Sequence, residues 1–244
     1  MGDSCTHGPN LWLSTDLQSK RLTVRTILLD LDGTLYNSPE YNARVEKEIV
    51  GIVAEQMHVD SSLAELRLRE ERKKQGTLTG ALRVLGVNRS LLFEALAEKV
   101  EPVEYLSQDS SVISTIRALK ERGFKVGLVT NNGRRMVGKI LRAIGLEASL
   151  FDVIVTSDDS EPKPSSQPFL SALDIVKCTP DRSAYIGDRV EAELLPARKL
   201  GIKTVLLARE GNAHNEQVDV VISHLSEVLT LIEDTPDSER GTAT

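Results

Sequence analysis

Asp30 and Asp32 directly follow an apolar run and precede Gly33 and Thr34. In an extended chain residues i and i+2 project the same way, so both carboxylates can leave one strand end together. Carboxylates held that close repel unless one is protonated or a cation lies between them. The pair therefore points to Mg²⁺, a hard ion that takes oxygen ligands. A second cluster, Thr130-Asn131-Asn132-Gly133, puts a hydroxyl and the first N–H groups of a coming helix where a phosphate can be cradled. Lys163 stands between Pro162 and Pro164, whose stiffness limits the entropy lost in holding its ammonium near a negative charge. A fourth cluster runs from Gly187 and Asp188 to Glu193 and offers further acidic oxygens. Taken singly, each has an ordinary structural use: a turn, a helix cap, a solvated lysine, or compensation of a helix dipole. Their combination after successive strands is far more specific than any member.

The elements that must position these groups are short. Runs rich in Val, Ile and Leu at 24–29, 125–129, 153–155, 183–186, 204–207 and 218–222 read as buried parallel strands. Segments 110–122, 134–144, 165–176 and 191–200 lie between them with helical spacing. This alternation predicts an α/β protein, a parallel sheet with helices on both faces, and all four clusters on one sheet edge. Residues 36–107 break the rhythm. No strand is evident there, and 40–57, 61–74, 78–85 and 90–99 read as helices, with Asp60 a candidate cap for the second. A helical insert after the first strand follows, hinged near 36–38 and 102–109. The expected division is a tail at 1–20, a core at 21–35 and 108–233, the insert at 36–107, and a tail at 234–244.

Composition narrows the function. The chain has 244 residues and 40% hydrophobic content, too apolar for a disordered protein, with no run long enough to span a membrane. A net charge of −6 argues against a general nucleic-acid binder, which needs clustered Lys and Arg. Cys5 and Cys178 form no framework, and no secretory leader is evident at the start, so a cytoplasmic protein is expected. The opening MGDSCT fits a loose myristoylation pattern and is read as an ordinary start. The four histidines lack metal-site spacing.

The order D-L-D-G-T, V-T-N-N-G, E-P-K-P and G-D-R-V-E-A-E resembles the haloacid dehalogenase superfamily of hydrolases across residues 24–222. The resemblance implies a Rossmann-like core and Mg²⁺-dependent phosphoryl transfer. By motif position it makes Asp30 the nucleophile and Asp32 the acid that protonates the leaving alcohol and then activates water. It gives Thr130 and N–H groups near Asn131 the phosphate oxygens, and Lys163 the balancing charge. Asp30, the main-chain carbonyl of Asp32, and Asp188 are its metal positions. Glu193 stands where the family often carries a second Asp; its longer stem leaves direct, water-mediated or no contact open, and it is not assigned. Retention of Asp32 favours phosphoryl chemistry over carbon–halogen cleavage. The insert resembles a C1-type cap, with Tyr36, Asn37, Tyr41, Arg44 and the basic run from Arg67 to Lys74 as candidate contacts, none placed in the site. The expected function is hydrolysis of a small phosphomonoester, a sugar phosphate or nucleotide, through an aspartyl-phosphate. A phosphomutase with the same chemistry and a non-catalytic binding protein are the alternatives, and oligomeric state is left open.

Overall fold

The computed structural model describes residues 21–209 and 215–233, so the two expected tails and the MGDSCT start lie outside the described residues. Six parallel strands are described: β1 (Thr26–Leu29), β2 (Lys125–Val129), β3 (Val153–Val155), β4 (Ser183–Gly187), β5 (Lys203–Leu207) and β6 (Val220–Ile222), in the spatial order β3-β2-β1-β4-β5-β6. The chain first builds outward from β1 to β3. It then crosses to the other side of β1 and builds β4 to β6. The reversal falls between β1 and β4, where ligands of open α/β sheets collect at the carboxyl ends of the strands.

Alternation along the strands separates two apolar layers. Ile27, Leu29, Ala184, Ile186, Val205 and Leu207 join one buried cluster, whereas Leu28, Tyr185 and Leu206 join the other. Helices α5 (Ser110–Glu121) and α6 (Arg134–Ala143) cover the first face through Ile116, Leu119, Val137 and Ile140. Helices α7 (Gln167–Val176) and α8 (Leu195–Lys199) cover the second through Phe169, Leu173 and Ala197. The expected Rossmann-like parallel sheet is therefore present.

Between β1 and α5 lie four further helices, α1 (Pro39–Met57), α2 (Ser61–Gln75), α3 (Leu78–Val84) and α4 (Arg89–Lys99). Each begins at a side-chain cap: Ser38, Asp60, Thr77 and Asn88 accept from the N–H groups of Tyr41, Leu63, Gly80 and Leu91. Their buried residues, including Ile49, Val53, Leu68, Leu92 and Leu96, join the same cluster as the first sheet face.

Element boundaries shift by one or two residues from expectation, and two helical departures have a visible cause. Helix α7 starts at Gln167 rather than at 165, because Ser165 N–H closes a turn on Pro162 O at 3.1 Å. The expected helix at 191–200 is split into a π-helical turn, Val190–Leu194, followed by α8. Pro196 has no N–H to give Ala192 O, so the regular ladder fails there, and Leu194 N–H reaches back to Arg189 O at 3.3 Å.

Candidate active site

Asp30 leaves the end of β1 and its N–H donates to Ile186 O of β4 at 2.9 Å, fixing it at the sheet reversal. Lys163 is 1% exposed although it belongs to a loop. Its Nζ lies 2.5 Å from Asp30 Oδ1, 3.0 Å from Glu193 Oε1, 2.7 Å from the Tyr185 hydroxyl and 3.0 Å from Val129 O. Burial lowers the affinity of that ammonium for its proton, but the Asp30 and Glu193 charges outweigh it and hold its pKa above the ordinary value. Tyr185, buried in β4, is held well above the usual phenol range, first by burial and then by the Glu193 charge.

The residues expected to cradle a phosphate lie at the end of β2, and their polar groups are partly committed. Thr130 is buried; its N–H goes to Val155 O at 3.0 Å, and its hydroxyl accepts the Asn132 N–H at 3.1 Å, leaving the hydroxyl proton to donate. The Asn131 side chain is committed elsewhere. Its amide donates to Lys163 O at 2.9 Å and its carbonyl accepts Lys163 N–H at 2.8 Å. Asn131 thus clamps the lysine loop, and its main chain is what remains for a phosphate.

The Asp32 carboxylate is engaged by two donors, the Tyr36 hydroxyl at Oδ1 and the Asn132 amide at Oδ2, the latter at 2.6 Å. Burial, reinforced by the Asp30 charge, pushes Asp32 up to about 6. Gly33 turns the chain away with φ of +80°, and a Cβ there would lie 2.1 Å from Asp188 Oδ2. Only glycine passes so close to Asp188 in that conformation. Arg209 secures the turn from the far side, donating to Gly33 O at 3.2 Å and Thr34 O at 2.9 Å.

Asp188 and Glu193 complete the cluster. Ligand oxygens of Asp30, Asp188 and Glu193 lie within 4.8 Å of one another. Burial and then Asp30 push Asp188 up to about 6, and the same causes, in the same order, raise Glu193. The π turn is what brings Glu193 inward; it is 5% exposed. Glu193, Tyr36, Asn132 and Tyr185 were not among the assigned site residues. Tyr36 stands four residues after Asp32, across the turn that Gly33 makes, where the two residues pair as a backbone bridge. Tyr185 showed only as an apolar strand residue.

The donor set fits a divalent metal. Asp188 Oδ1 and Glu193 Oε2 are buried and have no protein hydrogen-bond partner. Asp30, Asp188 and Glu193 share one nearby ammonium, that of Lys163. Hard carboxylate oxygens in excess of positive charge suit Mg²⁺-like ions. The Asp32 side chain is outside this group, which leaves its main-chain carbonyl as the metal position expected for that residue. Beside the Lys163 loop lie two adjoining clefts of about 510 and 460 Å³, both lined by Thr79, Arg83, Glu161 and Pro162, with Lys163 in the wall of the smaller one.

The chain as a whole is similar to known proteins. The family model for haloacid dehalogenase-like hydrolases matches residues 27–207. Phosphoglycolate phosphatase of Aquifex aeolicus is 30% identical over 223 residues, spanning 86% of this chain and 97% of the relative. Pyrophosphatase PpaX of Bacillus mycoides is 27% identical over 230 residues, with 86% and 98% covered. The crystal structure of a HAD phosphatase from Thermococcus onnurineus superposes with a TM-score of 0.63 at 21% identity, covering 85% of this chain and 97% of that one, which shows the shared fold. The chain belongs to the haloacid dehalogenase-like hydrolases and is an enzyme of their phosphatase kind.

Proposed function

We propose that the chain is a Mg²⁺-dependent phosphatase that hydrolyses a small phosphomonoester, a sugar phosphate or nucleotide, through an aspartyl-phosphate on Asp30. The observation that carries this reading is the buried Lys163–Asp30 pair at 2.5 Å, with Asp188 and Glu193 beside it and Asp32 held separately by Tyr36 and Asn132. Lys163 holds Asp30 oriented for attack on phosphorus. Thr130 donates its hydroxyl proton to a phosphoryl oxygen, and the main chain at Asn131 lines the same oxygens. Asp32 gives a proton to the departing ester oxygen and later accepts one from the attacking water. When bound, the metal offsets repulsion between the carboxylates and the phosphoryl group. Asp30, Asp188 and the Asp32 carbonyl hold it, with Glu193 Oε2 in reserve as a further ligand. The insert at 36–107 acts as a cap that shields this chemistry from water.

The test is phosphate release from a panel of sugar phosphates, nucleotides and aryl phosphates, with Mg²⁺ or with EDTA. Release that needs Mg²⁺ and disappears in Asp30→Asn, while the folded signal is retained, is the expected result. Undiminished turnover by Asp30→Asn removes Asp30 as the nucleophile.

A further inference from the structure

Tyr36 has no assigned role, yet its hydroxyl is bonded directly to Oδ1 of the residue that would supply the proton. A tight turn through Gly33 explains the meeting: Leu35 N–H bonds to Leu31 O at 2.9 Å, and Asp32 and Tyr36 pair across the turn as a short backbone bridge. The other oxygen, Oδ2, receives the Asn132 amide, a group that can only donate. Oδ2 is thereby kept as an acceptor, and an acid proton on Asp32 belongs on Oδ1, beside Tyr36. The Tyr36 hydroxyl donates to one lone pair of Oδ1 and so fixes the rotation of the carboxyl, leaving the other position on that oxygen for the acid proton.

The phenol is itself locked. Tyr36 is buried and packs edge-on against Tyr41 of α1, with ring centroids 5.7 Å apart, and Tyr41 packs on Tyr105 at 6.2 Å. Tyr36 and Tyr105 belong to the two connections that join the insert to the sheet, and the Ser38 hydroxyl bonds Tyr105 O between them at 3.4 Å. The Tyr41 hydroxyl goes instead to Met136 Sδ at 3.3 Å. Tyr36 is therefore placed by the insert's own attachment points and holds Asp32 from there.

Resting on the phosphatase reading above, we propose that Tyr36 is the positioning residue of the Asp32 proton donor, aiming its carboxyl proton at the departing ester oxygen. In that step Asp30 oxygen forms a bond to phosphorus as the bond from phosphorus to the ester oxygen breaks. The electron pair leaves with the ester oxygen, which takes the proton from Asp32. A leaving group that departs readily as an anion does not need that proton, whereas a poor one does.

The test compares phenyl phosphate, a poor leaving group, with p-nitrophenyl phosphate, a good one of similar shape, by kcat/KM in wild type, Tyr36→Phe and Tyr41→Phe with Mg²⁺. Tyr36→Phe is expected to lose roughly tenfold on phenyl phosphate, the scale of one hydrogen bond to a charged group, and to stay within about twofold on p-nitrophenyl phosphate. Tyr41→Phe, which removes a hydroxyl from the same aromatic cluster, is expected to treat both substrates alike. Equal losses on the two substrates in Tyr36→Phe, no loss on either, or the same selectivity in Tyr41→Phe overturns the proposal. Failure of the wild type to release phosphate from either ester defeats the phosphatase reading itself, and this inference with it.

Discussion

A single ammonium in the dry interior of this protein faces two carboxylates, a phenol and a carbonyl. Lys163 is buried because Asn131 grips its backbone on both sides and because Asp30 and Glu193 offset the cost of removing its charge from water. Breaking such a pair from one side leaves uncompensated charge. Lys163→Met should therefore destabilise the protein by roughly 3–5 kcal/mol in urea unfolding with EDTA present. Unchanged stability would show that the pair does not hold the site together. At this scale the sequence was informative about residue type and position. Asp30, Asp32, Thr130, Lys163 and Asp188 stood out because acids, a hydroxyl and a proline-flanked lysine follow strand ends. Side-chain partnerships were not legible. That Asn131 clamps the lysine loop, or that the Tyr185 hydroxyl of β4 accepts from Lys163 of the loop after β3, depends on elements brought together across the sheet.

Elements hold these side chains through their ends. Asp152, just before β3, ties three of them. It pairs with Lys120 of α5, accepts Val126 N–H of β2 at 2.8 Å, and meets Lys125 Nζ at 3.2 Å. Burial raises its pKa, but these donors outweigh that and leave it below the ordinary carboxylate value. A depressed folded pKa stabilises the protein above the unfolded value of about 3.9, and that contribution is lost as pH falls through the folded pKa. Because the carboxylate is only partly buried and its Lys125 partner is exposed, screening keeps the effect at about 0.5–1 kcal/mol. The difference in stability between wild type and Asp152→Asn should be constant near neutrality and shrink below about pH 4. A difference that grows on acidification would reverse the sign of the argument. Strand positions were readable from short β-branched runs and the insert's helices from their period and caps. The π turn was not, although Pro196 was its signal: a proline six residues into an expected helix forbids the regular ladder and turns Glu193 into the site.

The whole molecule brings four separate chain segments to one sheet edge, with the helical insert tied alongside. Direct ties cross between insert and sheet, with Arg89 donating to Ser157 O at 2.7 Å and Lys139 to Ala97 O at 2.6 Å. Among the described residues no helix is long and apolar enough to cross a membrane. The acidic cluster joins the ends of β1 and β4 to the π turn, so an ion bound there links segments far apart in sequence. Binding to the folded state alone stabilises by mass action, about 2.7 kcal/mol at a hundredfold excess over Kd. Saturating Mg²⁺ should raise the Tm of wild type and leave that of Asp188→Asn nearly unmoved; equal shifts would place the ion elsewhere. The decisive measurement concerns Asp30. An Asp32→Asn variant, slowed in hydrolysing its phosphorylated form, is quenched during turnover of p-nitrophenyl phosphate, reduced with borohydride and read by peptide mass spectrometry. An acyl phosphate is reduced to the alcohol, so homoserine at position 30 is the expected result. Homoserine at another acidic position, or an unaltered Asp30 in enzyme caught turning over, would contradict covalent catalysis at this residue.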